Sequence, residues 1–375
     1  MTVAFVHNDD LAGFDYGPGH PLRIERLRLC TALMREYGLL DHPRLMAVEA
    51  QPAPREALLT FHHPDYLDVL EKADDGRMPE NGAAFGLGVN DNPVFPGMWR
   101  WSRLLAGSSL MAARVVADGV VPTAFSISGG MHHAQHVTAS GFCYINDIVV
   151  AINHLLSRGR RVAYVDIDVH HGDGVQDAYY HTDQVLTVSL HQHPRTLFPH
   201  TGSFEEMGYG LGRGFSVNLP LWPYTDDDVF VWSFDQIVPP LLRAYRPDVL
   251  VTQMGVDTLS DDPLADLQLT DSALMHACRV FAGMGLPWVI LGGGGYHIVN
   301  PARVWTQILS FLLGVELPEE LPAGFLGMIS GHDPERRLLR DERLQILGPA
   351  RTKAEMEARR AVAAIKDDIF PLHGL

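Results

Sequence analysis

Residues 164–174 run Tyr-Val-Asp-Ile-Asp-Val-His-His-Gly-Asp-Gly, an apolar stretch that breaks into acids and imidazoles. On an extended chain residues i and i+2 point the same way, so Asp166, Asp168 and His170 share one face and Ile167 and Val169 the other. Two carboxylates and an imidazole crowded on one buried face repel each other or pay heavily for desolvation unless a cation sits among them. Asp257, in Gly255-Val256-Asp257-Thr258, adds a second oxygen donor to Asp168 and His170. Three protein ligands with an open fourth position describe a catalytic rather than a structural zinc site. Mixed Asp/His ligation also admits iron(II). A plainer account of the acids, that they cap nearby helices, stays open at this level.

Other groups could act beside such an ion. His132 and His133 follow Gly129-Gly130. A hydrolase must take a proton from water and return it to a leaving amine, and imidazole does both near neutral pH. Asp166 and Asp173 are suited to orient those rings, though either could be structural. Tyr296 follows four glycines, 292–295, which permit positive φ and close backbone approach, so its phenol could be aimed at a developing oxyanion. A phosphate-cradling loop competes for those glycines, but neither a G-x-G-x-x-G unit nor a Walker lysine accompanies them.

These groups need a scaffold. Short strands are expected at about 3–6, 123–128, 162–165, 185–190, 215–219, 248–254 and 287–291, and helices at about 22–38, 64–73, 97–118, 144–157, 227–245, 270–284 and 301–313. Residues 81–96, rich in Gly, Asn and Pro, read as a long surface loop. Buried apolar strands alternating with helices predict an α/β fold, a mostly parallel sheet with helices on both faces. Four strands carry polar groups just past their carboxyl ends, where open α/β sheets bind ligands, so one shared pocket is expected. The chain is expected to be a single domain over 1–375, with 313–375 forming C-terminal surface helices.

Composition narrows the function. Against 45 acidic residues stand 29 basic ones, a net charge of −16. No basic face for nucleic acid or an anionic membrane is expected, and cationic molecules would be attracted. Three widely separated cysteines, Cys30, Cys143 and Cys278, suggest reduced thiols in a cytoplasmic protein. Neither a signal peptide nor a stretch of about 18 apolar residues is evident.

With those residues in view, the chain resembles the zinc-dependent histone deacetylase family, nearest its class I-like branch and the bacterial acetoin-utilisation, AcuC-type deacetylases. The likeness lies in GPGHPLR at 17–23, ISGGMHHA at 127–134, SGFCYINDIVVAI at 140–152, YVDIDVHHGDGVQDAYY at 164–180, VLTVSLHQ at 185–192, GVDTLSDDPL at 255–264 and GGGGYH at 292–297. All fall within 15–312. The resemblance implies an arginase/deacetylase-type domain and hydrolysis of an acetylated lysine amide in a protein or a small molecule, releasing acetate. It places zinc on Asp168, His170 and Asp257. It makes His133 general base and acid with Asp173 behind it, His132 backed by Asp166 its electrostatic partner, and Tyr296 the oxyanion donor. Gly141, Phe142, Phe198 and Leu264 would line an acyl-lysine tunnel, and Asp91 would grip substrate at the rim. It further implies structural potassium, on Asp166, Asp168, His170, Ser189 and Leu190, with a second site near Tyr179, Thr182, Val185 and Phe215. Two rival readings stay open: an acetylpolyamine amidohydrolase, and a metal-containing binding module without activity.

Overall fold

A computed structural model describes residues 2–89 and 91–375. Its framework is one sheet of eight strands: β1 (Val3–His7), β2 (Leu45–Glu49), β3 (Thr123–Ser126), β4 (Val162–Asp166), β5 (Val185–Gln192), β6 (Ser216–Leu221), β7 (Val249–Gln253) and β8 (Trp288–Leu291). The strand order is β2-β1-β3-β8-β7-β4-β5-β6, and every neighbouring pair is parallel. The expected mostly parallel sheet is wholly parallel among the described residues.

Every residue of β4 to β8 is buried, so side chains of both orientations are covered. This explains their near-continuous apolar runs, the mark of a strand covered on both faces. Helices Met98–Ala117 and Asp147–Ser157 pack together, the former also on β1, β3 and β8. A second group runs Glu25–Glu36, Asn300–Leu313, Asp271–Gly283, Asp227–Tyr245 and Pro349–Asp368, each packed on the next or on its neighbour in the sheet. The single α/β domain expected from the sequence is the fold observed.

Three elements lie outside the sequence expectations. Edge strand β2 is half-exposed and does not alternate cleanly, so it carries little periodic signal. Helix Arg55–Leu58 spans a single turn. Helix Asp173–Tyr179 is hidden inside the motif that the acids and histidines dominate.

Beyond residue 313, helix Ala323–Ile329 packs on Glu25–Glu36, and Pro349–Asp368 packs on Asp227–Tyr245 and β6. The segment between is fastened from below by the buried Arg303. Its guanidinium donates to Leu339 O at 2.8 Å and lies 2.9 Å from Asp341 Oδ1. Among the described residues no helix is long and apolar enough to cross a membrane.

Candidate metal centre

The four strands singled out by their polar carboxyl ends, β3, β8, β7 and β4, are consecutive in the sheet. Their loops therefore open side by side, and the structure brings the motifs into one place.

β4 ends at Asp166, and the chain then turns through two self-capping steps. Asp168 N donates to Asp166 Oδ1 at 3.1 Å, and His170 N donates to Asp168 Oδ1 at 3.0 Å. Short acidic side chains that bond the backbone two residues on favour such turns. The result separates the roles of the acids. Asp166 points to His132, while Asp168 and His170 meet Asp257, with one ligand atom from each within 4.8 Å of the others. His170 Nδ1 lies 3.1 Å from both Asp168 Oδ1 and Asp257 Oδ2.

The remaining oxygens are already engaged. Asp168 Oδ2 accepts from Gln253 Nε2 at 2.5 Å and Gly294 N at 2.7 Å, and Asp257 Oδ1 accepts from Val169 N at 2.9 Å. One oxygen of each carboxylate thus faces the imidazole nitrogen while its twin is anchored, as outer partners anchor metal ligands. Burial, with the charge of Asp168 added, pushes Asp257 up to about 7. A divalent cation resolves that clash of buried like charges, so the donor set fits the ion the sequence implied. Gly294 is required here, because a Cβ would meet the carboxylates of Asp257 and Asp168.

The histidine pair stands beside this cluster, both rings buried. His132 Nδ1 lies 2.8 Å from Asp166 Oδ2, which also accepts from the Tyr164 hydroxyl at 2.6 Å. His133 Nδ1 lies 2.7 Å from Asp173 Oδ1, and the two Nε2 atoms are 3.0 Å apart. Burial works against charge on His132, but Asp166 and Asp168 outweigh it and raise the ring to about 9. For His133, burial together with the neighbouring His132 and His170 rings holds the imidazole well below its usual range. Burial pushes Asp173 up to about 7 against the pull of His132.

Tyr296 closes the far side, its ring 6.2 Å from His170 and 5.6 Å from Phe142. Burial, with Asp257 and Asp168 nearby, raises its phenol well above its ordinary value, so it stays a donor. Gly141 (φ 51°) and Phe142 (φ 67°) are both left-handed. A Cβ on Gly141 would press into the His133 ring, which is why glycine stands there. Phe198 lies 5.0 Å from the His133 ring and is 40% exposed, so it borders the histidine pair on the solvent side. A small cavity at the centre is lined by His132, His133, Asp168, Phe142 and Tyr296 together with Leu22, Arg26, Met131 and Cys143, with Arg26 donating to Gly295 O at 3.0 Å.

The histone deacetylase domain family matches residues 20–312, most of the chain. This chain belongs to the histone deacetylase family. Histone deacetylase B of Dictyostelium discoideum is 39% identical over 341 residues, covering 90% of this chain and 80% of that one. Histone deacetylase 19 of Arabidopsis thaliana is 37% identical over 323 residues, and there the chain spans 64% of the relative's length. A solved structure of an HDAC homolog from Aquifex aeolicus aligns with a TM-score of 0.88 at 33% identity, covering 96% of this chain and all of that one. The family is one of metal-dependent deacetylases.

Other residues expected in this deacetylase-family site stand as follows. Asp91 is exposed, and its carbonyl lies 3.0 Å from His20 Nε2, whose ring stacks on Tyr16 at 4.6 Å and meets Phe142 edge-on at 4.7 Å. Leu264 is half-buried, its N–H donating to Asp262 Oδ1 at 3.0 Å. Neither lines the small cavity. Of the residues expected to hold potassium, Ser189 pairs with Asp166 across β4 and β5, with Leu190 next along β5, and its hydroxyl lies 2.9 Å from His191 Nδ1. Tyr179 and Thr182 share a turn, with Thr182 N donating to Tyr179 O at 3.2 Å, and β5 begins shortly after at Val185. Phe215 O accepts from Thr187 N at 2.9 Å.

Several supporting groups escaped the sequence reading. Gln253 ends apolar β7 and reaches Asp168, and Tyr164 stands two residues before Asp166 and so on its face. That alternation was the available signal. Asn146 caps helix Asp147–Ser157 through Val149 N at 3.1 Å while its Nδ2 donates to Ala134 O at 3.0 Å, and Asp147 receives Gly130 N and Met131 N at 2.9 and 2.7 Å. Nothing local in sequence pairs these residues with the loop bearing His132 and His133. Asp262, whose Oδ2 accepts Tyr296 N at 2.7 Å, was visible only as part of a motif.

Proposed function

We propose that this protein hydrolyses N-acetyl-lysine amides to lysine and acetate, with zinc on Asp168, His170 and Asp257. The observation carrying this reading is the convergence of the paired histidines and the Tyr296 phenol around that buried donor cluster. The donor set takes iron(II) as well. A divalent ion in such a site polarises a carbonyl and lowers the pKa of water.

The remaining work falls to side chains. His133, neutral because of its burial, takes the proton of the attacking water at Nε2 and later delivers it to the departing lysine nitrogen. Asp173 fixes the tautomer of that ring by holding Nδ1. His132, kept cationic through Asp166, steadies negative charge beside it. The Tyr296 hydroxyl donates to the oxyanion of the tetrahedral intermediate. Gly141, Phe142, Phe198 and Leu264 form the passage for the acyl-lysine chain, with Asp91 at the rim.

Structural potassium at the two expected residue sets is part of the same proposal, as are an AcuC-type assignment and a cytoplasmic location. Three free, buried cysteines support the last.

Acetylpolyamine hydrolysis is the second reading, favoured by the net charge of −16, which attracts cations. Turnover of acetyl-lysine peptides and acetylspermidine on metal-loaded protein separates them. The first reading expects the peptide to have the higher kcat/KM, and a reversed preference would replace it with the second.

A further inference from the structure

Phe198 sits on a long crossing between β5 and β6, residues 193–215, which has no helix or strand of its own beyond one short turn. Its first part closes on itself, with Thr196 N donating to His193 O at 2.8 Å and His200 Nδ1 lying 2.9 Å from Pro194 O. What orients this unit is the stem 201–203, which three side chains hold: His171, His191 and Glu206. Thr201 Oγ1 lies 2.9 Å from His171 Nδ1. Gly202 O accepts from His191 Nε2 at 2.8 Å, while Gly202 N and Ser203 N both donate to Glu206 Oε1 at 2.9 Å. Gly202 has φ +92° and lies against the tilted His171 and His191 rings, where a Cβ would come within 2.6 Å of His171 Cγ. Glycine is needed there twice over.

Glu206 is itself anchored. Its Oε2 accepts from Gln176 Nε2 at 2.8 Å, and Gln176 Oε1 accepts from Ser216 Oγ, Asn218 Nδ2 and His171 Nε2 at 2.8, 2.6 and 3.2 Å. Gln176 is buried and lies one helical turn after Asp173, the residue that holds His133. Residues i and i+3 share a helix face, so this short helix carries the support of His133 and, through Glu206, that of Phe198.

We propose that Glu206 and Gln176 are positioning residues that set the gap between Phe198 and His133 and thereby the acyl group this site accepts. The proposal rests on the acyl-lysine reading above. Glu206 contributes acceptors to two backbone N–H groups and to one amide. In Glu206→Gln one of these contacts must be lost, because the new amide puts its NH2 against either Gln176 Nε2 or the stem N–H groups. Gln176→Glu alone sets two carboxylates face to face. The double variant Gln176→Glu/Glu206→Gln restores every donor–acceptor match: the amide oxygen at 206 accepts from the stem N–H groups, its NH2 donates to the carboxylate at 176, and that carboxylate still accepts from Ser216, Asn218 and His171.

The test uses the full chain loaded with zinc. Hydrogen exchange at the Gly202 and Ser203 amides is followed alongside kcat and KM for acetyl-, propionyl- and butyryl-lysine peptides. Glu206→Gln is expected to speed exchange at both amides by about tenfold or more, the scale of a lost bond to a charged acceptor. It is also expected to shift the butyryl-to-acetyl ratio of kcat/KM, chiefly through KM, and the double variant is expected to recover both. Unchanged exchange in Glu206→Gln, or faster exchange with an unchanged ratio, overturns the proposal, as does a double variant no better than the single one. No turnover of any acyl-lysine by the wild type would instead overturn the hydrolase reading and the specificity it implies, and exchange would still report whether the clamp holds the stem.

Discussion

His132 and His133 face each other through their Nε2 atoms, 3.0 Å apart, and each Nδ1 is tied to its own aspartate. In the resting pair two N–H groups do not point at one another at that distance, so one Nε2 presents a lone pair. Asp166 and Asp168 overcome burial to place the charge on His132, and His133 is left as the neutral ring. The pair is thereby divided into a charged ring and a neutral one, which is the division the proposed roles require.

His133→Ala removes the base and leaves the donor cluster whole. Turnover is expected to fall by roughly 10²–10⁴-fold, the usual worth of general acid–base assistance. Metal content, measured by elemental analysis of the purified variant, is expected to match the wild type. Loss of metal along with activity would move His133 from catalysis to structure.

Tyr296→Phe deletes one oxyanion donor. A fall in kcat of about 10²–10³-fold with little change in KM is expected, because the bond is made chiefly in the transition state. Steady-state kinetics on an acetyl-lysine peptide check this, and an effect confined to KM contradicts it.

Asp168, His170 and Asp257 bring buried charge together, so an ion bound there stabilises the fold by linkage. At a free concentration of about 100 times Kd the gain is about 2.7 kcal/mol. Thermal melts are expected to shift down on chelation and recover with zinc. In Asp257→Asn the response to added zinc is expected to shrink sharply.

The sequence carried the fold because its strands are apolar and buried on both faces, β5 and β7 being the clearest. Edge strand β2 and the helix Asp173–Tyr179 stayed hidden, the first half-exposed and the second enclosed in a motif whose residue types speak of chemistry rather than of helix. The ligands Asp168 and His170 were legible from alternation along one segment. The pairing of His132 with Asp166, and of His133 with Asp173, came from the family resemblance and not from spacing, because it depends on β3 and β4 lying in one sheet with β8 and β7 between them. The supports Gln253, Asn146 and Glu206 were illegible, since hydrogen-bonding side chains of those types occur throughout the chain and only the folded backbone selects among them.

His62 supplies a pH test away from the centre. It is buried, and its Nε2 accepts from Asn146 N at 2.9 Å. Burial lowers it from 6.5 to about 3. A histidine depressed on folding favours the folded state fully above its unfolded pKa, and that contribution declines as pH falls from 6.5 towards 3. At 1.36 kcal/mol per unit, moving from pH 6.5 to 5 costs about 2 kcal/mol through this residue. His62→Gln keeps an acceptor for Asn146 and cannot titrate. Denaturant unfolding across pH 5–7 is expected to show a shallower dependence in the variant, and parallel curves would contradict the assignment.

The central claim is that a metal held by Asp168, His170 and Asp257 and the histidine pair beside it together hydrolyse an acyl-lysine amide. Acetate released from an acetyl-lysine peptide, measured while metal-free protein is titrated with zinc, tests it most directly. Activity is expected to rise in proportion to bound zinc, level off at one ion per chain and be lower in His133→Ala by roughly 10²–10⁴-fold at the same occupancy. Full occupancy without acetate release, or release that persists unchanged in His133→Ala, would contradict it.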